Sequence, residues 1–321
     1  MGYKEKQCEK QQKLIVSTNL FDGAKAGKVY RGKERDFILK DGEFNIYKPI
    51  RGKVKDYFKK NGIQWWGGKT PSGHVLSSQI ACINHLFPIR TECGVLLRIL
   101  NDATGKNFSE LLPIPEWLDK KEKDENEKEI PHYVAFEAIS KAPYLNDGNT
   151  RGSNCTSIDA LMIAKNVEGV WLIPIEWKYT ELYANDDKSK NKGGATRLNR
   201  YQGLIQYSKQ LKEKYLNYVG SIYFQEPYYQ LMRQTLWSEL SMEDFGADNY
   251  LHLHIVPEAN KELLNRSYKR FPKFPGGMEE TWRSLLKNDK LYLCKDPKAV
   301  FASIKDYDSN LYDYLNKRYW E

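Results

Sequence analysis

The sequence predicts an α/β fold in which a central mixed sheet is flanked by helices, and three observations carry that expectation. Two stretches of helical spacing between residues 77 and 101 precede three short runs of β-branched and aromatic residues, at 132–139, 157–164 and 170–179. A long amphipathic stretch follows at 196–215. Two more strand-like runs, 219–225 and 250–256, come after it. Helix, three strands, helix, strands is the order expected of an α/β core.

Each element has its own local signal. Residues 1–70 are basic and rich in glycine and tyrosine, with one short helix expected at 54–60 and a left-handed cap at Asn61-Gly62. Trp65-Trp66-Gly67-Gly68 reads as a loop. Ser77-Ser78 caps the next helix, which buries Ile80, Ile83 and Phe87 until Pro88 breaks it. Thr91 is placed to cap a second helix running to Asn101, with Val95, Leu96 and Ile99 apolar and Gly105 just past its end. Residues 119–130 are nearly all charged and read as a solvated loop. Asn146-Asp147-Gly148 and Glu168-Gly169 supply turns, and the short second connection makes 157–164 and 170–179 an antiparallel hairpin. On the long helix, Leu198, Tyr201, Ile205, Leu211 and Tyr215 recur on one face. Residues from 260 onward, with the segment Phe271 to Gly277 and its two prolines, read as an irregular wrap that ends in a helix. The division expected is a basic N-terminal extension (1–70), a core (71–260) and a C-terminal wrap packing on it (261–321).

Composition narrows the function classes. With 321 residues, 40% hydrophobic and 29% charged, the chain is long enough for a real core and too apolar for disorder. No apolar run approaches the roughly 18–20 residues that span a bilayer, so no membrane partner is expected. The charged N-terminus lacks the apolar segment of a signal peptide, which points to the cytoplasm. The five cysteines are scattered, odd in number and without a C-x-x-C pair, so they read as reduced thiols rather than a disulfide or zinc framework. A formal charge of +8 is compatible with a polyanionic partner.

The hairpin carries the chemistry. Strand side chains alternate faces, so Glu176 and Lys178 share one side while Ile175 and Trp177 take the other, and Asp159 on the neighbouring strand can face them. Two carboxylates and an ammonium in apolar strands need a compensating partner. A hard divalent cation, Mg²⁺ or Mn²⁺, is the natural one, since Mg²⁺ takes oxygen ligands and keeps several waters. Such an ion stabilises phosphodiester transition states and activates water, which Lys178, its pKa lowered by desolvation, would orient or deprotonate. Acid-x-Lys occurs four times, at Asp119, Glu176, Asp186 and Asp296, but only Glu176 lies in an apolar strand directly after another bearing Asp. The competing reading is a structural Glu–Lys pair.

Asp159, sixteen intervening residues and then Glu176-Trp177-Lys178 resemble the PD-(D/E)xK motif of the restriction-endonuclease-like superfamily. Ser77-Ser78-Gln79, Ser157 to Met162 and Tyr228 to Trp237 look like a mostly uncharacterised bacterial branch of it. Ile158 departs from the pattern, standing where the motif's proline usually sits. The resemblance covers about residues 77–256 and implies that core fold, Asp159 and Glu176 as metal ligands, and Lys178 acting on the attacking water. Glu137 is a candidate further ligand, with an ion pair to Lys178 or Arg151 as its alternative; Glu92 is a weaker rival. Gln202, Gln206 and Tyr207 resemble the Gln/Tyr helix that some branches place beside the metal.

For DNA-backbone contact the candidates are Arg197 and Arg200 at the helix start, with Lys188, Lys190 and Lys192 in the preceding loop, 185–194. Arg233 and Gln234 are candidates for base edges. Trp65-Trp66 is read as aromatic packing in preference to base stacking, and His252-x-His254 as structural. The expected function is therefore Mg²⁺-dependent DNA cleavage, on double-stranded DNA, with homodimerisation left open. The alternative is a non-catalytic nucleic-acid-binding or assembly module on the same fold, and RNA is a further substrate class that metal-assisted chemistry admits.

Overall fold

A computed structural model describes residues 1–321 except 31, 149, 153, 154, 184, 185, 191, 218, 269, 270, 272 and 275. Parts of two expected loops, Asn185 and Asn191 in one and Pro272 and Pro275 in the other, thus lie outside the described residues.

In chain order the helices are α1 (Tyr3–Ser17), α2 (Arg51–Lys60), α3 (Ser78–Leu86), α4 (Cys93–Thr104), α5 (Gly194–Tyr207), α6 (Tyr228–Ser241), α7 (Lys261–Leu264), α8 (Met278–Leu285), α9 (Pro297–Val300) and α10 (Ser309–Leu315). The strands are β1 (Ala26–Tyr30), β2 (Lys33–Leu39), β3 (Glu110–Leu112), β4 (Glu122–Lys123), β5 (Glu129–Ile130), β6 (Ala135–Ala138), β7 (Ile158–Asn166), β8 (Gly169–Trp177), β9 (Asn249–Tyr250), β10 (His252–Ile255) and β11 (Tyr292–Lys295).

A seven-stranded mixed sheet holds the molecule together in the order β11-β10-β8-β7-β3, with β6 also on β7 and β9 also on β8. The β7–β8 hairpin is antiparallel, as its short connection dictates, whereas β10 runs parallel to both β8 and β11. One face, with Met162, Ile173 and Ile175, packs against α3 and α4 and against the C-terminal residues Phe301 and Leu315. The other, with Leu161, Ile163 and Leu172, packs against α5, α6 and α8. Helices therefore cover both faces, and the central strands are nearly continuously apolar.

Several helix ends follow the sequence signals. Ser77 Oγ accepts from the Ile80 amide, and Gly105 closes α4 at φ +65°. Other expectations fail for identifiable reasons. The long helix stops at Tyr207 rather than 215, because the Ser208 hydroxyl accepts from the Gln210 and Leu211 amides and turns the chain. Residues 219–225 form no strand: Ser221 caps a 3₁₀ turn over Ile222–Phe224, whose side chains are all buried without a sheet partner. The amide after Glu92, not Thr91, begins α4.

At the N-terminus, α1 and the β1–β2 hairpin were not legible. The buried stripe of α1 is Tyr3, Gln7, Gln11 and Ile15, with the right spacing but two glutamines in it. Those glutamines meet tertiary partners: Gln11 donates to Tyr179 Oη (3.1 Å) and the Arg318 carbonyl (2.7 Å), and Gln7 accepts from Tyr179 Oη (2.8 Å). The charged run 119–130 is mostly exposed and includes the β4–β5 hairpin, but its first residue, Asp119, is fully buried. All five cysteines are free thiols. Among the described residues no helix is long and apolar enough to cross a membrane.

Candidate active site

The register of the central hairpin determines what meets at its open end. Ala160 pairs with Ile175, so the next step in an antiparallel ladder sets Asp159 beside Glu176. Asp159 Oδ2 accepts from the Trp177 amide (2.8 Å), which pins the carboxylate across the strands. Beyond β8, the Lys178 amide continues the parallel pairing by donating to the Ile255 carbonyl (2.8 Å), and its ammonium turns back onto Glu176 Oε1. These three residues line one cavity of about 600 Å³, with Glu137 from β6 in its wall.

Glu137 sits in an unusual backbone state. Its neighbours Phe136 and Ala138 pair regularly with β7, yet Glu137 itself has φ +48°, the left-handed region. That conformation costs a non-glycine residue about 1–3 kcal/mol and persists only where the surroundings enforce it. Arg151 is the enforcing group: its guanidinium donates to the carbonyls of Glu137 (3.2 Å), Phe136 (2.5 Å) and Leu118 (2.6 Å). The ionic partner of Arg151 is Asp119 (2.8 Å), not the Glu137 carboxylate, so the expected ion-pair alternative for Glu137 is corrected. The Glu137 carboxylate instead accepts from Gln79 Nε2 (2.6 Å) on α3.

Helix α6 closes the opposite wall with Gln230, Arg233 and Gln234, spaced to share one helix face. Gln230 Oε1 accepts from Lys178 and from Tyr183 Oη (3.2 Å). Gln234 Nε2 donates to Glu176 Oε2, so both Glu176 oxygens are engaged. Arg233 spans Thr156 (2.7 Å) and Asp147 (3.2 Å). The glutamine-bearing helix beside the carboxylates is thus α6. On α5, Gln202 is half-buried, Gln206 and Tyr207 are exposed, and none of them lines the cavity.

Charge is crowded here. Burial pushes the Asp159 carboxyl well above the usual carboxylate range, and the charges of Glu176 and Glu137 add to it. Glu137 is pushed up to about 7, mainly by burial and further by Glu176, although the Gln79 bond opposes the rise. Burial alone would depress Lys178, as expected from the sequence. The charge of Glu176, assisted by Tyr183, Glu181 and Asp159, outweighs it and holds the ammonium well above its ordinary value. That corrects the expectation of a lowered lysine. Among the described residues, no three His, Cys, Asp or Glu side chains stand ready as a metal-ligand set.

Other candidates fall elsewhere. Lys188 is paired with Asp186 (2.5 Å) and Glu226 (3.6 Å). Arg197 donates to the carbonyls of Lys188 (3.2 Å) and Lys192 (3.3 Å), tying down the loop before α5. Neither they nor Lys190, Lys192 and Arg200 line the cavity. Glu92 accepts from the Thr91 hydroxyl (3.1 Å) outside it. His252 and His254 are buried on β10, where His254 Nδ1 meets Tyr292 Oη (2.7 Å). The residues that local reading missed as site groups are Gln230, Tyr183 and the bridging role of Gln79. A trace of signal existed in the i, i+4 glutamines of α6.

Residues 4–320 match the family described as Restriction Endonuclease associating with ARP. No curated protein and no solved structure matches the chain.

Proposed function

The chain belongs to this Restriction Endonuclease associating with ARP family, and from that premise we propose that it is a metal-dependent DNA nuclease of the PD-(D/E)xK type on a restriction-endonuclease-like core. The observation that carries the reading is the meeting of Asp159, Glu176 and Lys178 in one cavity, on adjacent strands joined by a hairpin.

The donor set suits Mg²⁺ or Mn²⁺, which take hard oxygen ligands and need only one or two carboxylates. Asp159 and Glu176 would hold the ion, with Glu137 as a further candidate. Each engaged carboxylate oxygen keeps a second lone pair, so the bonds from Lys178 and Gln234 do not exhaust Glu176. Burial first, and the charge of neighbouring carboxylates after it, raise the Asp159 and Glu137 carboxyls, and a bound cation would relieve both. When bound, the ion supplies charge stabilisation at the phosphoryl oxygens and an acidified water. Lys178, braced by Glu176 and Gln230, is placed to orient the attacking water. Gln234 keeps Glu176 in its rotamer, and Arg233 holds the segment carrying Thr156 against α6.

The test compares the purified protein with Asp159→Asn, Glu176→Gln and Lys178→Gln on plasmid and oligonucleotide DNA, with Mg²⁺ or with chelator. Cleavage should require the metal and fall by about 10²–10⁴-fold in every variant. Calorimetric Mg²⁺ binding should be lost in the two carboxylate variants and largely kept in Lys178→Gln. Cleavage that survives Glu176→Gln would overturn the site. A wild-type protein that binds DNA and never cuts it would replace the enzyme with a binding module.

A further inference from the structure

Trp66, one of a tandem pair, is left over by the fold and stands at the mouth of the cavity. Trp65 is spent on the core: it stacks on Phe58 with ring centroids 3.9 Å apart at 11° and is 7% exposed. Trp66 is 55% exposed and lines the same cavity as the carboxylates. Among the described residues no other aromatic ring packs on its indole.

The position of Trp66 is built. The Gly68 amide donates to the Trp65 carbonyl (3.2 Å), and Gly67 between them has φ +83°. That value at the third position of a tight turn favours glycine, and the turn leaves the second residue pointing outward. One side chain then ties the turn to the acid cluster. Gln79 Oε1 accepts from the Trp66 amide (3.0 Å), while Gln79 Nε2 donates to Glu137 (2.6 Å). Tyr30 and His74, which meet edge to face (5.9 Å, 77°), line the same cavity.

We infer that Trp66 is a stacking platform for one nucleobase of the strand being cut, so that the site takes a single strand. This rests on the nuclease reading above and narrows its substrate, departing from the intact duplex expected from sequence. A base offers its face to an aromatic side chain only when it is out of the double-helical stack, and such stacking is indifferent to sequence. A cavity of about 600 Å³ has room for a nucleotide-sized group beside the carboxylates.

The experiment measures binding of labelled oligothymidylate, and of a mixed-sequence duplex, by fluorescence anisotropy, with Ca²⁺ replacing Mg²⁺ to suppress cleavage. The proteins are the wild type, Trp66→Ala and Trp66→Phe. Single-strand affinity should fall about 5- to 150-fold in Trp66→Ala, the range of one lost base stack. Trp66→Phe should recover most of it, and duplex affinity should barely change. Equal single-strand affinity in Trp66→Ala, or an equal loss on both substrates, would overturn the stacking role while leaving the nuclease reading intact. Absence of any nucleic-acid binding by the wild type would overturn both. Thermal melting of each variant shows whether an affinity change reflects folding, and Trp66→Phe keeps the inference testable if Trp66→Ala melts early.

Discussion

Asp119 is fully buried, and three groups answer its charge: Arg151 at 2.8 Å, Tyr57 Oη at 2.5 Å and His132 Nε2 at 3.2 Å. Burial alone would raise its carboxyl, but His132, Arg151 and Tyr57 together hold it below the ordinary value. Because the same Arg151 pins the left-handed backbone of Glu137, a structural ion pair sits directly behind the candidate site. Arg151→Met should therefore act twice. It leaves a buried carboxylate without its cation, which costs about 3–5 kcal/mol, and it frees the Glu137 backbone. Urea denaturation should register the loss; a stability within about 0.5 kcal/mol of wild type, the scatter of surface substitutions, would show that Tyr57 and His132 suffice.

At the scale of elements, α6 and not α5 carries glutamines that line the cavity. Gln230 and Gln234 lie one helical turn apart and reach Lys178 and Glu176. Gln234→Leu should lower cleavage or metal affinity by about 10- to 100-fold, the usual cost of losing a group that orients a ligand. Gln206→Ala, on the exposed face of α5, should change neither. The basic loop before α5 presents less charge than its composition suggests, since Lys188 is already neutralised by Asp186 and Glu226. If Arg200 touches phosphate, Arg200→Ala should reduce the slope of log affinity against log salt by about 0.7–0.9. Lys188→Ala should reduce it less. A salt series with Ca²⁺ present separates the two, and an unchanged slope for Arg200→Ala would remove it from the binding face.

Across the whole molecule, the two ends of the chain close on the core. Arg318, fully buried, donates to the Asn45 carbonyl (2.7 Å), and Trp320 Nε1 donates to His85 Nε2 (3.1 Å) on α3. His85 must then carry its proton on Nδ1, which meets the Ala81 carbonyl at 2.6 Å, so the imidazole is neutral. Burial pulls its pKa down to about 3, from an ordinary 6.5. Between those values the unfolded chain binds a proton that the folded chain refuses. The contribution of His85 is therefore complete above pH 6.5 and is lost as the pH falls toward 3. Denaturation at pH 7.5, 6 and 4.5 should show stability falling more steeply in wild type than in His85→Gln, by up to about 1.4 kcal/mol per pH unit. Parallel profiles would remove His85 as the sensor.

What the sequence by itself determined lies where local periodicity carries information. The β7–β8 hairpin follows from two apolar runs and a short turn, and alternation along it places Glu176 and Lys178 together with Asp159 opposite. The helical covers on both faces were legible for the same reason. Tertiary structure alone decided the rest, because burial and partnership depend on residues far apart in the chain. No local pattern tells that Trp65 is core and Trp66 is exposed, or that Asp119 in a charged run is buried while its neighbours are solvated. Nor does any reveal that Gln79 would bridge Trp66 to Glu137, or that two glutamines in α1 would find partners in Tyr179 and the C-terminal segment. A polar side chain reads as surface until its partner is known, and in this protein the partners are supplied by the packing of helices against a shared sheet.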